Sequence, residues 1–498
     1  MYMKNFCAVV CVTLFLFACS GTPNNVTMSV NQGQCLTGGG DNAPITNPTT
    51  APYCMSVTLQ NNNSGMNANN VQVTSVGLTL SYTATATNGA QQSFSNNICD
   101  VQASGNVCPS GSTIFGNITV YDPNNCATQQ GSKVTTLMAG GGACTFYLQV
   151  TAESYAVGQY PIGLTYNYTN ANQNYSISQT IYQDVNLYAG GESGVFTYNG
   201  ESWDVGIANI TGNNVTAMIN DMYGNLYFSS GTSIYMYNGN ATSILGAALP
   251  QAVNTINSLA IDTSSNLLVA TNNGLYYTNV YSPQSWIQPA GTNVPTNATV
   301  LGVAYQSGIV YATESTTVFS CAESTVLGVS LTCTNITNGG PTQFYANSIL
   351  AESGQLFTGT TTSASTYANS TWSSPYVFTP VLTSGYVSGL ELYNSVLYLG
   401  VSASIPTTES TLYSCIGVAC GPFVSTSGKT VYGNINGITT DGAGYVYAVG
   451  QGINSPDFSP TNVASIFLNV GTSGALWQSI SGNIGNLNTV NAVSMLTH

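Results

Sequence analysis

The sequence has no arginine, three lysines (Lys4, Lys133 and Lys429) and one histidine, the final residue His498. Charged residues make up 4 % of the 498, where about a quarter is ordinary. Lys and Arg make the phosphate contacts that dominate affinity for nucleic acid, so nucleic-acid binding is excluded, as is electrostatic docking to anionic lipid. A Ser-His-Asp or Cys-His site needs an imidazole held in place, which a terminal residue does not offer. A Ser–Lys pair has only Lys133 and Lys429 to draw on, and both sit in Gly/Ser-rich stretches ("QQGSKVTT", "STSGKTV") that read as solvated surface. The formal net charge is −14, so any long-range field attracts cations. No stretch of useful length has a helical period, and beyond the N-terminus no apolar run is long enough to span a bilayer.

What is present is a normal hydrophobic share, 43 %, with Asn, Ser, Thr, Gly and Tyr where charge would usually stand. Burial of apolar surface does not need surface charge, so the chain can still fold, and its length implies two or more domains. At the N-terminus, "MYMKNFCAVVCVTLFLFACSG" has one Lys and an apolar run at 6–18, then small residues, the outline of a secretory signal. It also resembles a bacterial lipoprotein signal through Leu16, Ala18 and Cys19. That resemblance implies a signal peptide at 1–18, a lipid on Cys19, a tether at 19–24 and, with Ser20 next, the outer membrane or cell surface. The alternative is ordinary cleavage and secretion.

Of 13 cysteines, Cys7 and Cys11 fall in the signal and Cys19 is the lipid site. The rest form neighbouring pairs: Cys35/Cys54, Cys99/Cys108, Cys126/Cys144, Cys321/Cys333 and Cys415/Cys420. An even set of local pairs in an exported chain reads as five disulfides, whereas zinc would want C-x-x-C pairs or His partners.

Two textures divide the remainder. Residues 25–183 carry alternating runs such as "YCMSVTLQN" and "VQVTSVGLTLSYTATA" between turn clusters, the pattern of a β-sandwich. The run "CTFYLQVTAESYAVGQYPIGLTYNYTN" resembles the immunoglobulin-like domains of bacterial surface proteins. From Asp184 one element repeats: a strand, a polar turn, then a tighter strand rich in Tyr, Leu and Val, starting at 215, 256, 300, 346, 387 and 435. A seventh first strand, "VNAVSMLT" (490–497), has nothing after it, and its missing second half is "VNLYAGGESGVFTYNGESWDV" (185–205). Completing one blade from both ends closes a ring and removes exposed edges, so 184–498 is expected to be a seven-bladed β-propeller and the chain all-β. Trp203, Trp286, Trp372 and Trp477 lie late in blades one, three, five and seven, and are expected between adjacent sheets. Blades four and six hold Cys pairs instead, each expected to staple a third strand to a fourth. The units "NNGLYYTNVYSPQSW" and "ESGVFTYNGESW" resemble the propellers of sialidase-type repeats and of bacterial sensor or surface proteins. Sialidase activity is nonetheless excluded, because that family holds its acidic sugar with Arg.

At the first turn of each unit stand Asp221, Asp262, Gln306, Glu352, Asn394 and Asp441. A polar turn-former recurs there, and Asp and Asn suit such turns by bonding their own backbone. Calcium is the alternative, although "DMYGN" and "DTSSN" lack the acidic spacing of a calcium loop. No cofactor or catalytic residue is assigned. Asp204, Glu201 and Glu391 are the candidates for carboxylate chemistry, and Trp203, Trp286, Trp372, Trp477 and Lys429 for ligand contact. The favoured function is a lipid-anchored binding or scaffold protein that recognises a protein or glycan at a propeller face. Its alternatives are a carbohydrate-active enzyme using carboxylates alone and a structural member of an envelope complex.

Overall fold

The computed structural model describes residues 26–32, 52–85, 91–99, 117–121, 135–151, 157–170 and 173–200. It also describes 202–497 apart from 205–206, 208–213, 222–223, 240–241, 284, 324–329, 346–347, 362, 374, 379–384, 403–409, 426–427, 442–444, 455–466, 470–477 and 481–488. The described residues are strands, turns and bends, with no helix among them. The leader, Cys19, Cys35, Cys108, Cys126, Glu201, Trp477 and His498 lie outside them. The chain divides into two compact units, Met1–Glu153 with Gln159–Gln183 and His498, and Ser154–Gly158 with Asp184–Thr497.

In the first unit, β1 (Val26–Gln32), β2 (Pro52–Asn61), β7 (Ala143–Thr151) and β5 (Asn117–Tyr121) form one antiparallel sheet in that order. The strand β3 (Ala68–Thr85) pairs with β4 (Gln91–Cys99), β6 (Thr135–Leu137) and β8 (Gly158–Asn170), and β9 (Gln173–Gly191) follows beside β8. Val57 and Leu59, two apart on β2, are fully buried, as period-two alternation requires. Asn61 ties the "NNNSGM" turn: its amide donates to the carbonyls of Met66 (2.9 Å) and Leu137 (3.0 Å), and its Oδ1 accepts from Asn63 N–H. Cys54 stands on β2 in register with Gln149 of β7, and Cys99 ends β4 in register with Gly77 of β3. Their expected disulfide partners, Cys35 and Cys108, lie outside the described residues, so the pairs Cys35/Cys54 and Cys99/Cys108 do too.

The described strands of the second unit group into seven mostly antiparallel sheets, two of them continuous through one short strand. Sheet 1 joins the two ends of the unit: β37 (Val490–Thr497) pairs with β9 from Gly191 to Val185, then come β10 (Gly194–Tyr198) and β11 (Trp203–Asp204). Sheet 2 is β12 (Met218–Asn220), β13 (Leu226–Ser230), β14 (Ser233–Tyr237) and β15 (Thr242–Ile244). Sheet 3 is β16 (Ile256–Ile261), β17 (Asn266–Thr271) and β18 (Gly274–Asn279), with a bridge from Tyr277 to Ile287. Sheet 4 is β20 (Gly302–Gln306), β21 (Ile309–Thr313), β22 (Val318–Glu323) and β23 (Ser330–Asn335), with β19 (Ala290–Thr292) added in parallel to β23. Sheet 5 is β24 (Ile349–Glu352), β25 (Gln355–Gly359) and β26 (Ser363–Ala368), with β27 (Thr371–Trp372) paired to β26. Sheet 6 is β29 (Tyr386–Tyr393), β30 (Val396–Ser402), β31 (Leu412–Ile416) and β32 (Ala419–Pro422). A short strand, β28 (Tyr376–Phe378), pairs antiparallel with β26 and parallel with β32, joining sheets 5 and 6 at their outer edge. Sheet 7 is β33 (Tyr432–Thr440), β34 (Val446–Asn454), β35 (Phe467–Asn469) and β36 (Gln478–Ser479).

The first strands contact one another in the order β37, β12, β16, β20, β24, β29, β33 and back to β37. Burial follows the same cycle. Strands such as β17 are apolar on both faces: Leu267 and Val269 join the cluster shared with sheet 2, while Leu268 and Ala270 join the one shared with sheet 4. Among the described residues each successive pair of sheets encloses one such cluster, and the cluster of Leu187, Phe196, Trp203, Tyr447, Val449 and Val490 joins sheet 7 to sheet 1.

Side chains at the starts of the first strands add polar ties across the cycle. Thr216 donates to Ile256 O (2.7 Å), Asn257 to Val300 O (2.7 Å), Ser388 to Ile435 O, Asn436 to Val490 O (3.0 Å) and Asn491 to Val215 O (3.2 Å). The corresponding residue of sheet 4 is Leu301, whose side chain carries no donor. That of sheet 5, Asn347, lies outside the described residues.

Candidate functional site

The recurring aspartates are buried turn acceptors. Asp221 Oδ1 accepts from Asn225 N–H (2.9 Å), and its Oδ2 accepts from the Asn225 amide (2.8 Å) and the Tyr227 hydroxyl (2.9 Å). Asp262 accepts from Ser264 N–H, Asn266 N–H and the Asn266 amide, all within 2.7–2.8 Å. Asp441 accepts from Tyr445 N–H (2.8 Å) and the Tyr447 hydroxyl (3.0 Å). These donors point their hydrogens where a cation would sit, and no group of three or more His, Cys, Asp or Glu poised for a metal occurs among the described residues. Burial, then the adjacent Asp221 carboxylate, holds the Tyr227 hydroxyl far above its ordinary pKa.

Asn394 is a turn residue, but placing Gln306 and Glu352 in their turns needs correction. Gln306 and Glu352 end their strands, and the turns after them are the residue pairs Ser307-Gly308 and Ser353-Gly354; in sheet 6 the pair is Asn394-Ser395. All six turn residues have positive φ, the geometry of a two-residue type I′ hairpin, which needs no buried acceptor. Sheets 2, 3 and 7 instead use longer turns folded around the Asp.

Three tryptophans are placed alike. The indole N–H of Trp286 donates to Ala247 O (2.7 Å), that of Trp372 to Ile336 O (2.6 Å) and that of Trp203 to Ile480 O. Each bond crosses to the outer segment of the preceding sheet, so these rings occupy the seams between sheets. Disulfides Cys321–Cys333 and Cys415–Cys420 join the third and fourth strands of sheets 4 and 6, and Cys144 is also disulfide-bonded. Lys429 is exposed in the hairpin closed by Ser425 N–H to Lys429 O (2.9 Å), and Asp204 is exposed on β11.

Two cavities lined by described residues of this unit bear on function. The central one, about 140 Å³, lies among first strands and is lined by Met218, Leu259, Leu390, Ile438, Ser388 and Asn436, with other apolar, Ser and Asn side chains and no carboxylate. Ligand pockets run from about 300 to 1,000 Å³, so it is small for one. The other is a groove of about 780 Å³ between sheets 5 and 6. It opens where the first-to-second and third-to-fourth turns of both sheets meet: Ser353, Asn369, Asn394 and Gly417 come from those four turns. Phe357, Tyr376 and Leu397 line its interior, and Thr366 donates to the Tyr376 hydroxyl at 2.9 Å. Val418, on the disulfide hairpin, forms part of the lip and is 56 % exposed beside Ile416, 77 % exposed.

The groove is lined in part by a small residue where another sheet carries a large one. With Thr271 and Thr360 in register, β18 (GLYYTN) and β26 (SASTYA) correspond, so Leu275 and Tyr277 of sheet 3 are replaced by Ala364 and Thr366 in sheet 5. Leu275 and Tyr277 pack into the cluster between sheets 3 and 4. Of their small counterparts, Thr366 lines the groove, while Ala364 is fully buried with Tyr376 and Phe378 in the cluster between sheets 5 and 6.

Carboxyl groups mark both seams. Between sheets 3 and 4, burial pushes Glu323 up to about 7, the Asp262 carboxylate adds to this, and the Tyr305 hydroxyl opposes it. Between sheets 5 and 6, Glu352 lines the groove and burial raises its pKa. Glu391 is pushed up to about 7 by burial and by the charge of Glu352, against the stabilising bonds from Thr440 N–H (3.2 Å) and the Thr440 hydroxyl (2.8 Å). Sequence reasoning singled out Glu391 but not Glu323, nor Glu352 as a lining group. The signal for Glu352 was its place next to a Ser-Gly turn in the one sheet with a small-residue third strand.

No family model matches the sequence, and neither does any curated protein. Among solved structures, the extracellular domain of a hybrid two-component system from B. thetaiotaomicron is similar at 14 % identity and TM-score 0.43, over 58 % of this chain and 37 % of that one. A Lactobacillus plantarum protein is similar at 11 % identity and TM-score 0.43, over 63 % and 99 %. The WD40 domain of Neurospora crassa Pan2 is similar at 9 % identity and TM-score 0.33, over 59 % and 82 %. The match spans less than half the length of the two B. thetaiotaomicron chains compared.

Proposed function

We propose that this chain is an exported binding protein, held to the bacterial outer membrane or cell surface by a lipid on Cys19, in which an immunoglobulin-like spacer at 25–183 presents a seven-bladed β-propeller at 184–498. The cyclic order of first-strand contacts and the pairing of β37 with β9 support a closed ring with a split blade. Disulfides suit an oxidising, extracytoplasmic setting. The pairings Cys35/Cys54, Cys99/Cys108 and Cys126/Cys144 in the spacer belong to the same proposal. The observation that carries the binding reading is the groove between sheets 5 and 6: it has the volume of a ligand site and opens on a face built of turns, while the central cavity is small. Its ligand is a protein or a glycan of the envelope.

The direct test places a bulky side chain on the groove wall. Gln355 is exposed on β25 and lines the groove, and Trp is at home in a strand, so Gln355→Trp should fold normally. Binding to isolated envelope polysaccharide and envelope protein fractions, followed by biolayer interferometry, should fall sharply in the variant; equal binding by both forms would reject the groove as the site. Cys19→Ala should move the protein from the membrane to the soluble fraction, and a membrane-retained variant would reject the anchor.

A further inference from the structure

The lining chemistry of the groove narrows the ligand. Resting on the reading of the groove as the binding site, we infer that it takes a neutral oligosaccharide, a ligand rich in hydroxyls and free of charge. Among the described residues no Lys, Arg or His lines the groove, and Glu352 does. An anionic ligand would therefore enter a chain of net charge −14, meet a carboxyl and find no counter-charge. A cationic ligand would find a single carboxyl that burial drives toward its neutral form.

What the groove offers is hydroxyls and amides: Thr366, Thr371, Ser373, Asn369 and Asn394 surround a floor that includes Phe357 and Leu397. Sugar hydroxyls both donate and accept, and so do these groups. The C–H faces of a pyranose match an apolar floor, and a volume of about 780 Å³ holds a short oligosaccharide rather than one ring. The carboxyl of Glu352 accepts sugar hydroxyls when ionised and both donates and accepts when protonated, so it contributes in either state.

The alternative occupant, an extended peptide, would most simply add a strand to a sheet edge. At this seam the edge is already taken, because β28 is bonded to β26 on one side and to β32 on the other. A peptide would have no backbone ladder to complete and would depend on side-chain pockets alone.

The test uses the full mature chain with its disulfides formed, titrated calorimetrically with maltotetraose, cellotetraose, xylotetraose, mannotetraose and chitotetraose, and with tetragalacturonate as the charged counter-probe. At least one neutral tetrasaccharide should bind more tightly than about 1 mM. Glu352→Ala should weaken that binding several-fold, the value of about one net hydrogen bond. Gln355→Trp should abolish it at an unchanged melting temperature. Thr366→Tyr, which restores the residue of the closed seam, should also abolish it. Failure of all the neutral probes, or binding of tetragalacturonate as tight as that of the neutral ones, overturns the inference. A protein ligand lost in Gln355→Trp would also overturn it while leaving the groove as the site. Saccharide binding indifferent to both filling variants would overturn the groove itself.

Discussion

Between sheets 3 and 4, Leu275 and Tyr277 of β18 fill the seam together with Val303, Val310 and Leu331. Between sheets 5 and 6 the matching positions of β26 carry Ala364 and Thr366, and a groove of about 780 Å³ remains. The frames around these two seams are alike. Each leading sheet ends in a Trp whose N–H reaches back to the sheet before it. Each trailing sheet has its third and fourth strands joined by a disulfide. In each, a three-residue segment from the leading sheet runs parallel to the outermost strand of the trailing one, β19 on β23 and β28 on β32. A shared frame around a variable filling separates the parts that maintain the fold from the part free to bind.

The sharpest way to break the comparison is to remove the Trp. Trp286 is 7 % exposed within a large apolar cluster, whereas Trp372 is only partly buried. Trp286→Ala should cost about 3–5 kcal/mol, and Trp372→Ala about 2–3 kcal/mol. Urea unfolding would measure both, and equal losses would mean that the seam between sheets 4 and 5 holds its Trp as tightly as the seam between sheets 2 and 3. The disulfides come next. Cys321–Cys333 spans 12 residues and Cys415–Cys420 spans 5. On the loop-entropy account, replacing each pair by Ala should cost about 3 and about 2 kcal/mol respectively. A larger loss at the shorter loop would show that its hairpin, which carries Ile416 and Val418 to the groove lip, is held by more than chain entropy.

The exchange of seam residues is a reciprocal test. Tyr277→Thr should open a cavity in a filled seam and cost about 2–3 kcal/mol. Thr366→Tyr should cost less, about 1 kcal/mol: its ring enters the groove, but the buried bond from the Thr366 hydroxyl to Tyr376 is lost. Similar costs for both would contradict the register that relates β18 to β26.

The repeat of first strands was legible because period-two apolar strands followed by polar turns are local signals, and so was the pairing of 490–497 with 185–191, since each end supplied the half the other lacked. The positions of Trp203, Trp286 and Trp372 and the two disulfides were legible for the same reason: each falls at a fixed place in a unit. The turn reading of Asp262 followed from its chemistry, but extending it to Gln306 and Glu352 failed, because a Ser-Gly pair with positive φ makes a tighter turn that needs no capping carboxylate. The segments 290–292 and 376–378 were not legible as strands, being three residues long and defined by partners about 40 residues away. Nor was the groove, whose wall at Thr366 differs from the seam of sheet 3 by the ring of Tyr277.

The smallest expected effect distinguishes the two seams by pH. The Glu323 carboxyl stands at about 7 in the folded protein, raised from an ordinary value of 4.5 by burial first and by Asp262 second. The folded state therefore holds its proton more tightly than the unfolded state does. Stability from this group is fully present below about pH 4.5 and is lost as pH rises to about 7, beyond which it contributes no further slope. Glu391 acts in the same direction over the same window, with Glu352 rather than Asp262 as its charged neighbour. Melting temperature should accordingly decline between about pH 5 and 7 and level off above. Glu323→Gln keeps a donor facing Asp262 and removes the titration, so it should flatten part of that decline and raise stability at pH 7.5. Glu391→Gln, bonded to Thr440, should remove a separate part of it. If the wild-type and Glu323→Gln melting curves run parallel across this range, the proton shared at the closed seam does not contribute to stability. The two seams would then differ only in how they are filled.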